Sequence, residues 1–149
     1  MSLDRTLDYS HCNCFAIRSA ARHVTQFYDH VLAPIGLRVT QYGILSRLRR
    51  GGPMTINTLA AALVMDRTTL GRNILPLERD GLIEVVASPA DRRRRELRLT
   101  PAGAEKYQQA YHCWVEAQSR FDTVFGDDRA EHLRGLLREV VGSEFVAPA

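Results

Sequence analysis

The sequence predicts a mainly α-helical fold with one small β-hairpin, and three observations lead to this prediction. Apolar residues recur at helical spacing along most of the 149 residues. The pattern becomes strand-like only between residues 82 and 100. Glycine and proline separate the segments, and the length fits about one domain. A composition of 45% apolar and 25% charged residues excludes a disordered or low-complexity chain.

The first two predicted helices are bounded by capping and helix-breaking residues. The first is expected over residues 13–32, with Ser10 as its N-cap. The second is expected to begin with Thr40 as its cap and to stop at the glycines and proline of residues 51–53. Its inward face is predicted to contain Tyr42, Ile44, Leu45 and Leu48.

Two further helices are predicted on either side of a short link, Val64–Met65. Thr55 is expected to cap the third helix and Asp66 the fourth, which Gly81 closes in the left-handed conformation. Pro76 is expected to kink the fourth helix or to remove one of its hydrogen bonds. A short turn between two helices is the helix-turn-helix arrangement, which presents the outer face of the second helix to a DNA major groove. The inward residues of that helix are predicted to be Leu70, Ile74 and Leu77.

The predicted hairpin joins strands at residues 82–86 and 96–100 through a polar, charged tip. Residues 88–100 contain five arginines, one aspartate and one glutamate, which give this segment a net charge of +3. The whole chain also has a net charge of +3, so the excess charge is concentrated in this segment. Such a local cationic cluster favours a polyanion-binding site. The alternative is a solvated loop, in which neighbouring arginines repel one another unless Asp91 fixes the tip.

Two long C-terminal helices are predicted, beginning at Thr100–Pro101 and separated at Gly126–Asp127. The aromatic residues of the first would form an exposed apolar patch on a monomer. We therefore expect an obligate dimer formed through the N- and C-terminal helices, although terminal helices that fold back on a monomer would also cover the patch. Three segments are expected: an N-terminal dimerisation helix (1–36), a DNA-binding winged helix-turn-helix lobe (37–100) and C-terminal dimerisation helices (101–149).

The helix-turn-helix and the arginine-rich hairpin together predict binding to double-stranded DNA. Arginine recognises guanine edges or phosphates, asparagine suits adenine, and threonine binds phosphate or contacts a thymine methyl group. Asp91 is predicted to hold the hairpin tip in shape, so that an arginine can enter the narrow minor groove. The expected DNA contacts are Thr55, Arg67, Thr68, Thr69, Arg72, Asn73, Arg92, Arg93, Arg94 and Arg95.

Several segments resemble those of one regulator family. Residues 91–103 resemble the wing signature of the multiple-antibiotic-resistance regulator (MarR) family, and residues 77–83 and 36–42 resemble its neighbouring segments. The signature positions matched in register are Asp91, Arg93, Leu99, Thr100 and Gly103. The resemblance implies a winged-helix homodimer that binds pseudo-palindromic operators. Such proteins usually act as repressors that a small molecule or an oxidant releases from DNA.

The three cysteines, an odd number, do not form a disulfide framework. Cys14 is expected in the first turn of a helix, where the helix dipole favours a reactive thiolate. The segment that begins at Cys14 is similar to the organic-hydroperoxide-sensing branch of the family. Tyr28 falls where that branch has a tyrosine that bonds the thiolate, whereas Arg18 replaces a second tyrosine. The alternative is that Cys14 is a small apolar residue at the dimer base.

A ligand pocket between the dimer helices and the winged lobe is implied by the same resemblance. A basic and aromatic lining would suit an aromatic carboxylate or a phenol. The candidate lining residues are Arg18, Arg22, His23, Tyr42 and Trp114. We expect no metal, since Cys-x-Cys offers too few ligands, and no cofactor.

The expected location is the cytoplasm, because the N-terminal residues lack an apolar signal region and no apolar run is long enough to span a membrane. We expect no enzymatic activity and no membrane partner. Two alternatives remain. One is a thiol-dependent, peroxide-reacting protein that uses Cys14, for which only His11 and His23 are nearby histidines. The other is a DNA architectural protein that binds without sequence preference.

Overall fold

A computed structural model describes residues 8–145 of the chain. The helices are α1 Asn13–Leu32, α2 Val39–Gly51, α3 Ile56–Ala62, α4 Arg67–Arg79, α5 Pro101–Phe125 and α6 Asp127–Gly142. The strands are β1 Met54–Thr55, β2 Ile83–Ala87 and β3 Arg95–Leu99. Short 3-10 turns flank α1 at Tyr9–His11 and Ala33–Ile35. Within the described residues, no helix is long and apolar enough to cross a membrane.

The predicted hairpin is confirmed, with each strand one residue away from its expected bounds. β2 and β3 pair antiparallel, with Ile83 opposite Leu99 and Ala87 opposite Arg95. A third strand, β1, was not predicted, and it pairs Met54 with Leu97 to give the order β1-β3-β2. Its two residues are too few for any alternation to be visible in the sequence.

The predicted caps of α3 and α4 are confirmed. The Thr55 hydroxyl accepts a hydrogen bond from Thr58 N at 3.2 Å, and Asp66 Oδ1 accepts one from Thr69 N at 2.8 Å. Each cap satisfies a backbone N–H that the first helical turn leaves unpaired. At the far end of α4, Gly81 has φ +73°, and Leu82 N donates to the Leu77 carbonyl oxygen. This is the left-handed helix end that the sequence predicted.

The predicted caps of α1 and α2 are wrong. Ser10 lies in a 3-10 turn, and α1 is instead capped by Cys12, whose Sγ accepts from Phe15 N at 3.4 Å. Thr40 lies inside α2, which begins one residue earlier because Val39 N donates to Asp29 Oδ1 at 2.8 Å. That partner belongs to α1, so this helix start depends on a contact between distant residues.

The hydrophobic core lies where α2, α3, α4 and the sheet meet. All four inward residues predicted for α2 and all three predicted for α4 are buried. Burying one large aliphatic side chain contributes about 1.5–3 kcal/mol. The fully buried large side chains are Leu32, Ile44, Leu45, Leu59, Leu70, Leu77 and Ile83. This core fixes which face of α4 points away from the protein.

The chain divides into two compact units, with the boundary between Trp114 and Val115 inside α5. The first unit contains the helix-turn-helix and the sheet. The second contains the C-terminal part of α5 and α6, where the Arg129 guanidinium lies 4.3 Å from the centre of the Phe125 ring. The division into residues 1–36, 37–100 and 101–149 remains a prediction.

The hairpin formed by β2, β3 and the loop between them (residues 83–99) is called the wing below. The first turn of α5 packs directly on the backbone at the start of the wing. Thr100 Oγ1 donates to the Gly81 carbonyl oxygen at 2.6 Å and accepts from Gly103 N at 3.0 Å. A Cβ placed on Gly103 would lie 1.9 Å from the Leu82 carbonyl oxygen. Only glycine therefore permits this close approach of α5 to the wing.

Gly103→Ala is expected to lower the free energy of unfolding by at least about 2 kcal/mol, since the added carbon collides with backbone atoms. Gly71→Ala is the matched control, because a Cβ at Gly71 in α4 would have no atom within 4 Å. The control should raise the free energy of unfolding by about 0.5–1 kcal/mol through helix propensity alone. Denaturant titration followed by circular dichroism measures both values. Similar effects of the two substitutions would contradict the packing argument.

Candidate nucleic-acid interface

The outward face of α4 is set by the buried residues on its other side. Successive helical residues are rotated by about 100°, so the side chains opposite the core are those of Thr68, Arg72, Leu75 and Arg79. All four are exposed. Thr68 and Arg72 were predicted as DNA contacts, whereas Leu75 and Arg79, which share this face, were not among the predicted residues because only polar residues near the helix start were considered. A helical projection of the sequence would have found both.

Three of the predicted contact residues also hold the local structure together. Thr69 Oγ1 donates to Asp66 Oδ2 at 2.6 Å, and the Thr55 hydroxyl donates to Thr58 Oγ1 at 3.0 Å. Asn73 Nδ2 donates to the Thr69 carbonyl oxygen at 2.9 Å, and its Oδ1 accepts from Thr40 Oγ1 at 3.4 Å. Their polar groups thus have partners within the protein. The exposed guanidinium of Arg79 also has one, since its Nε lies 3.7 Å from Asp80 Oδ1.

Asp66 is a charged cap at the start of α4. Hydrogen bonds from the Thr69 side chain and backbone lower the pKa of Asp66 below its ordinary value of 3.8. The carboxylate therefore carries a full negative charge at neutral pH, close to the positive end of the helix dipole. Attraction of a phosphate to this end of α4 must then come from Arg67 and Arg72, which are both exposed.

At the tip of the wing, the backbone is held by hydrogen bonds, whereas the cationic side chains are exposed. Asp91 Oδ1 accepts from Arg93 N at 3.0 Å, and the Asp91 carbonyl oxygen accepts from Arg94 N at 3.0 Å. Ser88 N donates to the Arg94 carbonyl oxygen at 2.8 Å and closes the turn. Residues 92–95 are all exposed, and no ion pair among residues 8–145 involves them. Asp91 therefore has the structural role that the sequence suggested.

An ion pair joins the two strands of the wing below its tip. Arg98 Nε donates to Glu84 Oε1 at 2.9 Å, and a second Arg98 nitrogen contacts the same oxygen. The two residues lie directly opposite each other on β3 and β2. Arg98 is thus occupied within the sheet, whereas the arginines of the tip remain available to an external anion.

The two residues predicted to sense oxidants are not brought together within one chain. Cys14 is exposed in the first turn of α1, and Tyr28 is buried near the end of the same helix. Fourteen residues of helix separate them by about 21 Å. Cys12, the residue that caps α1, is half-buried. A contact between the Cys14 thiol and a Tyr28 hydroxyl would therefore require a second chain.

The predicted ligand residues are only partly assembled. Tyr42 stacks against Tyr107 and Trp114, with ring centres 5.6 and 5.8 Å apart. Burial, followed by the neighbouring Tyr107, raises the pKa of Tyr42, so its hydroxyl stays neutral. A groove of about 250 Å³ opens elsewhere, between the end of α2, the base of the wing and α5. The other predicted ligand residues, all exposed on α1, are Arg18, Arg22 and His23.

Metal-ligating residues do not cluster in the part of the chain that the structure describes. No group of at least three His, Cys, Asp or Glu side chains there could hold a metal ion.

Comparisons with known proteins place these features in a family. The MarR family model matches residues 35–94, which include the helix-turn-helix and most of the wing. A transcriptional regulatory protein for the hcr operon of Thauera aromatica is 27% identical over 124 residues, which cover 83% of this chain and 75% of that protein. The two solved structures described next extend the match to nearly the whole chain.

Both solved structures contain DNA. The M. tuberculosis transcriptional regulator MosR, in complex with DNA, is 34% identical with a TM-score of 0.75, and the match covers 88% of this chain and 96% of that one. The transcriptional repressor CouR, from Rhodococcus jostii RHA1, bound to a 23-mer duplex, is 25% identical with a TM-score of 0.80 and coverage of 89% and 94%.

Asp66→Asn is expected to remove a pH-dependent part of the stability. Because the folded-state pKa of Asp66 is lowered, its contribution is fully present above 3.8 and is lost as the pH falls through the lower folded value. The difference in unfolding free energy between wild type and Asp66→Asn should therefore be constant at neutral pH and shrink in acid. Urea titrations at a series of pH values measure it. A difference that does not change with pH would contradict this assignment.

Proposed function

The chain belongs to the MarR family of transcriptional regulators, and from this premise we propose that it is a sequence-specific DNA-binding repressor that acts as a homodimer. The observation that carries the proposal is the wing tip, where residues 92–95 extend exposed guanidinium groups from a backbone fixed by Asp91. Holding like charges together in the free protein is unfavourable. A polyanion removes this repulsion and releases counterions when it binds.

The wing and α4 have different proposed roles. The arginines of the tip contact phosphates or enter the minor groove, where the negative potential is strongest. Arg67, Thr68 and Arg72 contact base edges and phosphates in the major groove. Thr55, Thr69 and Asn73 contribute contacts near the starts of α3 and α4, beside the hydrogen bonds that they already make.

A second copy of the chain is the proposed partner in solution. The last helix leaves several large apolar side chains exposed, among them Leu136, Leu137, Val140 and Val141. An isologous pairing of the terminal helices would cover them. The two-fold axis would then separate the two α4 helices by about 34 Å, one turn of DNA, and match a pseudo-palindromic operator.

A small aromatic anion is the proposed signal that releases the operator. The stacked rings of Tyr42 and Trp114 provide a flat apolar surface, and Arg18, Arg22 and His23 supply positive charge or hydrogen-bond donors on α1. An aromatic carboxylate or phenol combines both features. If the anion binds more tightly to a conformation in which the two α4 helices of the dimer are not one DNA turn apart, its binding lowers the affinity for DNA.

Thiol oxidation is the second candidate signal, favoured by the position of the two N-terminal cysteines. Cys14 is exposed, and the Cys12 sulfur caps the helix on which Cys14 lies. A hydroperoxide that oxidises Cys14 to the sulfenic acid is itself reduced to the alcohol. This response is stoichiometric, so the proposed role requires no catalytic turnover, and the cytoplasm, where DNA is accessible, is the proposed location.

Arg94→Ala should weaken operator binding and reduce the slope of log affinity against log salt by about 1.8, the value for one lost phosphate contact in each subunit of the dimer. Arg49→Ala is the control, since Arg49 is an exposed arginine of the same unit outside the predicted interface. Fluorescence anisotropy with a duplex enriched from a random library, measured at several salt concentrations, gives both slopes. Failure of every duplex to bind at low salt would overturn the proposed function.

The two candidate signals give different results with Cys14→Ser. Benzoate should release DNA from wild type and from Cys14→Ser equally if an aromatic anion is the signal. Cumene hydroperoxide should release DNA only from wild type if oxidation is the signal. Anisotropy before and after each addition, with a thiol reductant added last, separates them. No release by either compound would contradict both proposed signals and leave DNA binding intact.

A further inference from the structure

The outward face of α4 contains an apolar side chain that the proposed DNA contacts do not use. Leu75 is 64% exposed, although the other leucines of α4, Leu70 and Leu77, are buried. Along the helix axis it lies between Arg72 and Arg79, which are exposed on the same face. An apolar group between two cations suits an anionic partner that also presents a small apolar group.

Gly71, one helical turn before Leu75, has no structural explanation within the chain. Glycine inside a helix is less favourable than alanine, and Gly71 is not among the residues with positive φ. A Cβ at this position would meet nothing within 4 Å, so internal packing does not require glycine either. What remains is the close approach of a partner from outside the protein.

Gly71 and Leu75 together define a notch on the surface of α4. Helical side chains lean toward the N-terminus, so Leu75 extends over the turn that contains Gly71. A Cβ at Gly71 would have no atom within 4 Å, so the surface is open at this position, one turn before Leu75. Thr68 and Arg72 both lie on one side of this notch in the helical projection.

We infer that this notch, formed by Gly71 and Leu75, receives the C5 methyl group of a thymine. The inference rests on the proposed function, in which α4 enters the major groove. In that groove only thymine among the four bases presents a methyl group. Arg72 and Arg79, on the same face, supply the charge that holds the phosphates or guanines next to it. The notch thus specifies thymine at one position in each half-site of the operator.

Replacing thymine by uracil tests the inference, because uracil lacks only the methyl group. Wild-type protein first enriches duplexes from a random library, and each thymine of the enriched sequence is then replaced singly. Anisotropy at one salt concentration should show a loss of affinity of about four-fold at one thymine of a half-site, as expected for one methyl group. Wild-type binding that tolerates uracil at every position would overturn the inference.

Variants assign the effect to the notch. Leu75→Ala changes both subunits, so it should bind the thymine duplex about sixteen-fold more weakly, about four-fold for each half-site, and should lose no further affinity with uracil. Gly71→Ala should also lose the uracil effect while its thermal midpoint rises, which separates weaker binding from unfolding. The control Val64→Ala changes an exposed apolar residue outside this face and should keep the uracil effect.

The outcomes distinguish this inference from the function on which it rests. Full uracil sensitivity in Leu75→Ala would overturn the notch and leave DNA binding intact. Failure to enrich any duplex would overturn the proposed function, and the inference with it.

Discussion

The hydrogen bonds of Thr100 join the end of α4, the base of the wing and the start of α5. Its hydroxyl joins the Gly81 carbonyl oxygen to Gly103 N, and its own backbone N donates to the Leu82 carbonyl oxygen at 3.1 Å. The end of α4, both strands of the hairpin and the start of α5 therefore meet at one residue. Because these contacts are short and involve mostly backbone atoms, the direction of the wing follows from the position of α4. Sequence changes elsewhere in the wing can alter its charge without altering its direction.

The charge of the wing tip is arranged differently from the charge at its base. At the base, Arg98 and Glu84 form an ion pair that is solvent-exposed and contributes little to stability. At the tip, the Asp91 carboxylate accepts a hydrogen bond from a backbone N–H, and the neighbouring guanidinium groups are left unpaired. Mutual repulsion at the tip disfavours the free protein and is relieved by an anionic partner. The same backbone bonds limit the conformational entropy that the loop would lose on binding.

The sequence predicted most of the features that depend on nearby residues, although it placed the cap of α1 at Ser10 instead of Cys12, whose partner Phe15 is only three residues away. The caps at Thr55 and Asp66 and the left-handed Gly81 involve partners within five residues, so the local pattern contains them. The start of α2 was wrong. It is stabilised by Asp29 of another helix, which accepts from Val39 N, and by Gln41 Oε1, which accepts from Arg38 N within the same turn. Strand β1 was missed because it is defined by its pairing with β3, which is distant in the sequence.

In the candidate site, too, features set by residue type or by nearby residues were predicted, and features set by distant residues were not. Arg72 and the arginines of the tip are identified by residue type, and the structure leaves them exposed. The hydrogen bond between Thr40 and Asn73 could not be predicted, because Thr40 comes from a different helix. Leu75 was overlooked for another reason. An apolar residue at helical spacing is normally assigned to the core, and only the direction of the core distinguishes an outward leucine from an inward one.

Three glycines in α4, the wing and α5 are required for different reasons. Gly81 is required by its backbone conformation, with φ +73°, and Gly103 by the carbonyl oxygen that lies where its Cβ would be. Gly71 meets neither requirement, and it lies one turn from an exposed leucine. Glycine in a helix and leucine in water are each unfavourable for the free protein. Two unfavourable residues on one turn of the face that points away from the core are most simply explained if that face is covered when the protein acts. The covering partner must also tolerate Arg72 and Arg79, which excludes a purely apolar surface and fits the floor of a DNA groove.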